Sequence, residues 1–175
     1  MNLHLGITSN DSRGSFLRYS EDSSDRSKKL DLTVNALSMA TNIEVGTMRG
    51  IHFQTFPFEQ EKIVVCTQGA IFDVIVDLRP GSKTLGDWAQ VELEVETPAS
   101  LTLPKGIAHG YQTLIGGANV FYALSGEYSP EHSFAINYTD TDLNIPWPLS
   151  ISRMSKNDEM GISLQEAIRL SESSH

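Results

Sequence analysis

The segment Met48-Arg-Gly-Ile-His-Phe-Gln54 carries an arginine and a histidine. Lys62 follows ten residues after that histidine, and a second histidine, His109, sits in Pro104-Lys-Gly-Ile-Ala-His-Gly110. Histidine supplies an acid/base group with an ordinary pKa near neutral pH, while arginine and lysine stay cationic and can hold anionic oxygens. Together these residues form a set for binding a phosphorylated sugar and moving a proton on it. Neither a redox step nor a metal is required for that chemistry.

The elements that must position this set read as strands. Ile63 to Cys66, Ala70 to Leu78, Ala89 to Glu96, Ser100 to Leu103, Ala108 to Thr113, Ala118 to Ser125 and Ser133 to Tyr138 have strand composition. Turn formers separate them at Gln68-Gly69, Pro80-Gly81, Thr97-Pro98, Pro104 to Gly106, Gly116-Gly117 and Ser129-Pro130. That cadence predicts a β-sandwich or barrel rather than βαβ units. Ala89 to Glu96 alternates apolar with polar and predicts a strand with one wet face. Ala70 to Leu78 is apolar on both faces apart from Asp73 and Asp77, so both carboxylates need partners, with histidine or arginine expected. Ser163 with Glu166 three residues on opens a short amphipathic C-terminal helix through Leu170. Before Gly46 the pattern is weak: Ser23 to Lys29 reads as a solvated loop, and Leu30 to Ala40 fits a strand or a short helix.

At 175 residues, with 39% apolar and 20% charged residues, the chain fits one domain spanning residues 1–175. Cys66 is the only cysteine, which rules out an intrachain disulfide. A net charge of −9 argues against a nucleic-acid partner, although a local Arg/Lys cluster can still hold a small anion. The N-terminal Met1-Asn-Leu-His-Leu-Gly-Ile7 has neither a secretory nor a membrane-spanning pattern, so no membrane association and a cytoplasmic protein are expected.

Several motifs in order resemble the dTDP-4-dehydrorhamnose 3,5-epimerase family. They are Asp11-Ser-Arg-Gly-Ser-Phe16, Arg49 to Gln54, Lys62, Phe72 to Arg79, Pro104 to Gly110, Phe121-Tyr122, Tyr128-Ser-Pro130 and Asp140 to Pro148. The resemblance runs from about Asp11 to Leu164 and implies an all-β, cupin-type jelly roll with short peripheral helices. It further implies a homodimer sharing edge strands and cofactor-free epimerisation, at C3, C5 or both, of a nucleoside-diphosphate 4-keto-6-deoxyhexose. In that reading His52 is the base, Asp158 in Ser155-Lys-Asn-Asp158 orients it, and Tyr122 is the acid on the opposite face of the sugar. Lys62 and His109 would stabilise the enolate oxygen, and Arg13 and Arg49 would hold the phosphates, with Phe16, Gln54 and Tyr128 completing the substrate site. Where family members carry a Gln-x-Asn strand, this chain reads Leu37 to Thr41.

Other readings remain at this level. His109 could instead be the partner of Asp73, Lys62 a lysine that blunts a strand edge, and Tyr122 or its neighbour Phe121 a core aromatic. A metal-dependent cupin such as a dioxygenase needs three convergent ligands, and Gln54 stands where a second histidine of a His-x-His pair would be. A non-catalytic nucleotide-sugar-binding module would retain Arg49 while losing the base or the acid.

Overall fold

The computed structural model describes residues 1–19 and 33–173; the loop expected over Ser23 to Lys29 lies outside them. The chain forms β1 (Asn2–Leu5), β2 (Ile7–Asp11), β3 (Gly14–Arg18), β4 (Ala36–Asn42), β5 (Met48–Gln54), β6 (Lys62–Gln68) and β7 (Ala70–Asp77). These are followed by β8 (Trp88–Glu94), β9 (Ala99–Leu103), β10 (Ile107–Thr113), β11 (Ala118–Leu124), β12 (Ser133–Ala135), α1 (Lys156–Glu159) and α2 (Leu164–Ser173). Two five-stranded antiparallel sheets, ordered β1-β9-β6-β11-β4 and β12-β5-β10-β7-β8, face each other, and β2 and β3 form a separate hairpin. This is the jelly-roll sandwich expected, with few and short helices.

Period-two alternation sorts the side chains. Val64 and Cys66 of β6, Leu101 and Leu103 of β9 and Val120 of β11 pack against Ile71 and Ile75 of β7 and Ile107 of β10 between the sheets. The outer face of the second sheet presents Phe53, Phe72, Val74 and Val76, and the C-terminal segment covers it with Ile136, Leu143, Ile145, Leu164 and Ala167. Both faces of β7 are therefore covered, which is why that strand is apolar throughout. Its two carboxylates have the partners their burial demands: Asp73 pairs with His109 at 2.7 Å, and Asp77 with Arg79 at 2.6 Å. Ser82 and Thr84 also donate to Asp77, each at 2.7 Å. On β8, Gln90 and Glu92 are exposed while Leu93 is buried, as the alternation predicts. Ser163 caps α2 by accepting from the Glu166 amide at 3.2 Å.

The region that read weakly supplies four strands; of the stretch expected over Leu30 to Ala40 as a strand or a short helix, residues 30–32 lie outside the described ones, and the remainder leads into a strand, β4, paired along β11. Its propensity is poor, and neighbouring β11 imposes the extended conformation. The strand expected over Ser133 to Tyr138 is only three residues long: Ile136 still donates to the Ile51 carbonyl at 2.8 Å, and beyond it the Asn137 amide turns to the Ile162 carbonyl.

One irregularity matters most for function. On β10, His109 pairs with His52 and Tyr111 with Arg49, so three steps along β5 match two along β10 and the register shifts between them. This is a β-bulge at Gly50-Ile51, and it rotates β5 so that Arg49 and His52 face the same way. Gly50 permits it: φ is +107°, and a Cβ there would lie 2.6 Å from the Gly110 Cα and 2.7 Å from the His109 carbonyl oxygen. Gly50→Ala should therefore lower stability by about 3 kcal/mol through overpacking and a disfavoured φ. For a chain of this size that is a fall of roughly 6–12 °C in melting temperature. Thermal unfolding followed by circular dichroism checks this, and an unchanged midpoint would show that the bulge tolerates a side chain.

Candidate active site

Two connected hollows share Arg49 and His52 as a common wall. A chamber of about 230 Å³ between the sheets is lined by Lys62 of β6, His109 and Tyr111 of β10, Tyr122 of β11 and Ala40 of β4. A wider cleft of about 640 Å³ opens outside it, bordered by Tyr128, Phe134, Arg153, Asp158 and Met160. Period two places Lys62 with Val64 and Tyr122 with Val120 on the inner face of their sheet, and the bulge brings Arg49 and His52 to the same chamber from the other sheet.

His52 Nε2 lies 2.6 Å from Asp158 Oδ1. Ser155 caps the one-turn helix α1 by accepting from the Asp158 amide at 3.1 Å, and the Gly50 amide donates to Asp158 Oδ2 at 3.4 Å. Burial of Asp158 acts to raise its pKa, but hydrogen bonding and charge from His52, with the Gly50 and Ser155 bonds, outweigh it and hold the carboxyl below its ordinary value. A carboxylate only accepts, so the ring nitrogen it touches carries the hydrogen and Nδ1 keeps the lone pair of a base; that tautomer is assigned from the hydrogen bond. The ring itself is 46% exposed, open to a substrate from both hollows.

Inside the chamber the environment is drier. Protein surrounds the Lys62 ammonium, and this desolvation lowers its pKa to about 8, with the nearby Asp73 carboxylate acting in the opposite direction. Burial likewise pushes Tyr122 well above the ordinary tyrosine value, so it is a proton carrier at neutral pH. The His109 ring meets the edge of Tyr122 at 6.1 Å and is held by Asp73, so the two readings of His109 are compatible: it is paired with Asp73 and it lines the chamber. Chemically, the arrangement offers a base at one wall, a protonated phenol from the other sheet, and a cation and an imidazole between them. That is what enolisation next to a carbonyl requires.

Not every expected residue is in this group. Gln54 lines neither hollow; its amide donates to the Phe58 carbonyl at 2.6 Å and the Glu127 carbonyl at 3.0 Å, and it accepts from the Ser129 amide at 2.8 Å. It therefore braces the loop that carries Tyr128, a residue 70% exposed at the cleft. Arg13 and Phe16 sit on the exposed β2–β3 hairpin, Arg13 paired with Asp11, and border neither hollow of this single chain. Conversely, Asn42, Tyr111 and Arg153 enter the neighbourhood of Arg49 without having been singled out from the sequence. Only the Tyr111 position, two residues beyond His109 on one strand, carried a readable signal. Among the described residues no three His, Cys, Asp or Glu side chains converge as metal ligands, so the ligand set of a metal-dependent cupin is not formed there.

Comparison with known proteins places these motifs in a family. Residues 7–166 match the profile described as dTDP-4-dehydrorhamnose 3,5-epimerase. The chain is 38% identical over 157 residues to the dTDP-4-dehydrorhamnose 3,5-epimerase of Sinorhizobium fredii, covering 89% of this chain and 80% of that one. Among solved structures, the Bacillus anthracis dTDP-4-dehydrorhamnose 3,5-epimerase with TDP and PPi bound superposes with a TM-score of 0.85 at 33% identity, covering 92% of each chain. A 3'-monoepimerase from Streptomyces bikiniensis in complex with dTDP-quinovose gives a TM-score of 0.85 at 32% identity, covering 96% of this chain and 85% of that one. With its sandwich, its paired histidine and aspartate and its match over most of its length, the chain belongs to the dTDP-4-dehydrorhamnose 3,5-epimerase family.

Proposed function

We propose that this protein is a cytoplasmic, homodimeric epimerase that inverts C3, C5 or both of a dTDP-linked 4-keto-6-deoxyhexose, in the making of activated deoxysugars. The observation that carries this reading is the His52–Asp158 pair, set in the wall common to the two hollows, with Lys62 and Tyr122 across the inner one. The sugar occupies the inner chamber and the nucleotide the outer cleft. His52 Nδ1 removes the hydrogen α to the ketone, while Lys62 and His109 hold the enolate oxygen, charge that develops only as the proton leaves. Tyr122 returns a proton to the opposite face of the carbon, which inverts it. Arg49, at the junction of the two hollows, holds the phosphates as a planar donor, and the exposed Tyr128 ring stacks on the base. No step in this scheme calls on a cofactor.

The dimer accounts for the residues left outside. Leu3, Leu5, Ile7, Phe16, Leu37 and Met39 are exposed apolar side chains on β1 to β4, more than isolated surface residues need. Covering them with a second copy would bring a partner hairpin, with Arg13 and Phe16, toward a cleft. Sedimentation equilibrium should return twice the 19.3 kDa chain mass, and a monomer would remove Arg13 and Phe16 from the site.

Deuterium wash-in is the direct test of the activity. With dTDP-4-keto-6-deoxyglucose in heavy water, NMR should show label at C3, C5 or both, unaffected by EDTA. His52→Ala should abolish exchange and turnover together, whereas Tyr122→Phe should exchange without inverting. Label at neither carbon would reject the epimerase reading. Activity should also follow the charge on Lys62. The ammonium is present below its pKa of about 8 and lost above it, so kcat/KM should fall as pH rises through that value. A pH profile of Lys62→Met should be low and without that limb; an unchanged limb would assign it to another group.

A further inference from the structure

Arg153, a second arginine in the lining of the outer cleft, has no part in the proton transfer. The backbone carries it to the start of β5: its carbonyl accepts from the Met48 amide at 2.8 Å, and it bridges Thr47 in parallel, two residues ahead of Arg49. The two guanidiniums are anchored alike, each through Nε and each from the chain at or just past the end of β4. Arg49 Nε donates to Asn42 Oδ1 at 2.8 Å. Arg153 Nε donates to Glu44 Oε1 at 2.9 Å, and its Nη2 lies 2.8 Å from the same oxygen. Both anchors are themselves fixed. Asn42 is buried and donates to the Ala118 carbonyl at 3.0 Å, while the Glu44 carbonyl accepts from the Thr47 and Thr113 hydroxyls, each at 2.8 Å. An arginine held at Nε keeps most of its donors for a ligand, in a plane already set. Asn42, Glu44, Arg49 and Arg153 also border a recess of about 230 Å³, so both arginines line the cleft and the recess together. Glu44 is the only acid among the residues lining that recess, and two arginines against one carboxylate leave it net positive.

We propose that Arg153 is a second phosphate-holding residue, which with Arg49 clamps the diphosphate of the nucleotide at the mouth of this recess. This rests on the reading above that the nucleotide occupies the outer cleft. A diphosphate presents two adjacent phosphoryl groups, and two planar guanidiniums on neighbouring segments can each take one, where a single arginine would have to serve both. The Arg153–Glu44 pair is 70% and 41% exposed, so as an ion pair it adds little to stability. Phosphate oxygens can take the Arg153 donors that Glu44 Oε1 does not hold. Glu44 acts through Arg153 and is a positioning residue: it sets the plane of the guanidinium, while its own charge opposes the ligand. Asn42 does the same for Arg49 without a charge. Because no proton passes through Arg153, the clamp bears on binding and leaves the chemistry at His52 and Tyr122 alone.

Calorimetric titration with dTDP and with inorganic pyrophosphate reads the clamp without turnover. Arg153→Met, which keeps an apolar stem and removes the donors, should weaken both ligands at least about tenfold, with the thermal unfolding midpoint unchanged. In the epimerisation assay the same variant should raise KM in proportion and retain kcat. Glu44→Gln keeps an oxygen for Arg153 Nε and removes a negative charge from beside the ligand, so dTDP should bind about threefold more tightly. A pair that served only the fold would give the opposite sign, since loosening it could not improve binding. Unchanged affinity of Arg153→Met for either ligand, or unchanged or weaker dTDP binding by Glu44→Gln, would overturn the clamp while leaving the epimerase reading intact. No deuterium exchange by the parent protein would instead sink the epimerase reading, and the two titrations would still decide the clamp.

Discussion

Strand β5 must carry an arginine and a histidine three residues apart to one side of a sheet whose side chains alternate every residue, and the bulge at Gly50 is what reconciles the two. A regular strand would send either Arg49 or His52 into the apolar layer under the C-terminal segment. The bulge depends in turn on two backbones approaching closely, Gly50 against Gly110, where neither position has room for a side chain. The same turn of chain aims the Gly50 amide at Asp158, so the deformation that gathers the cations also helps to hold the carboxylate behind the base. A local backbone exception thus sets the geometry of both hollows, and the regular strands on either side serve to hold it in place.

The interior around the chamber is dry enough to change the character of two groups placed in it. Lys62 loses affinity for its proton and Tyr122 holds its own more tightly, each because burial disfavours the charged form. Buried groups survive there by pairing: Asp73 with His109, Asp158 with His52, and Asn42 with Arg49, Tyr111 and the Ala118 carbonyl. Removing one partner of a fully buried pair such as Asp73 and His109 typically costs about 3–5 kcal/mol, since the group left behind is uncompensated. Stability and chemistry are therefore entangled at His109 and Asp73. The periphery is different. The hairpin with Arg13 and Phe16 is exposed and pairs only within itself.

Much of this was legible in the residues themselves. Alternation and turn formers marked the strands from β6 onward, because those strands bury one or both faces and so must be written in apolar residues at fixed spacing. The C-terminal helix announced itself through Ser163 and Glu166. Pairing of the two aspartates of β7 with a histidine and an arginine followed from the cost of burying a carboxylate alone. The strands before Gly46 were not legible, since β1 to β4 are largely exposed in one chain, and β1 and β4 pair with β9 and β11, far away in sequence. Residue types and short motifs thus determine the chemical repertoire and the fold class. The side each residue faces at a bulge, the bracing role of Gln54, and the joining of Asn42, Tyr111 and Arg49 came only from the folded chain. Those are contacts between residues up to 75 positions apart, such as Gln54 and Ser129, and no period within one strand encodes a partner on another.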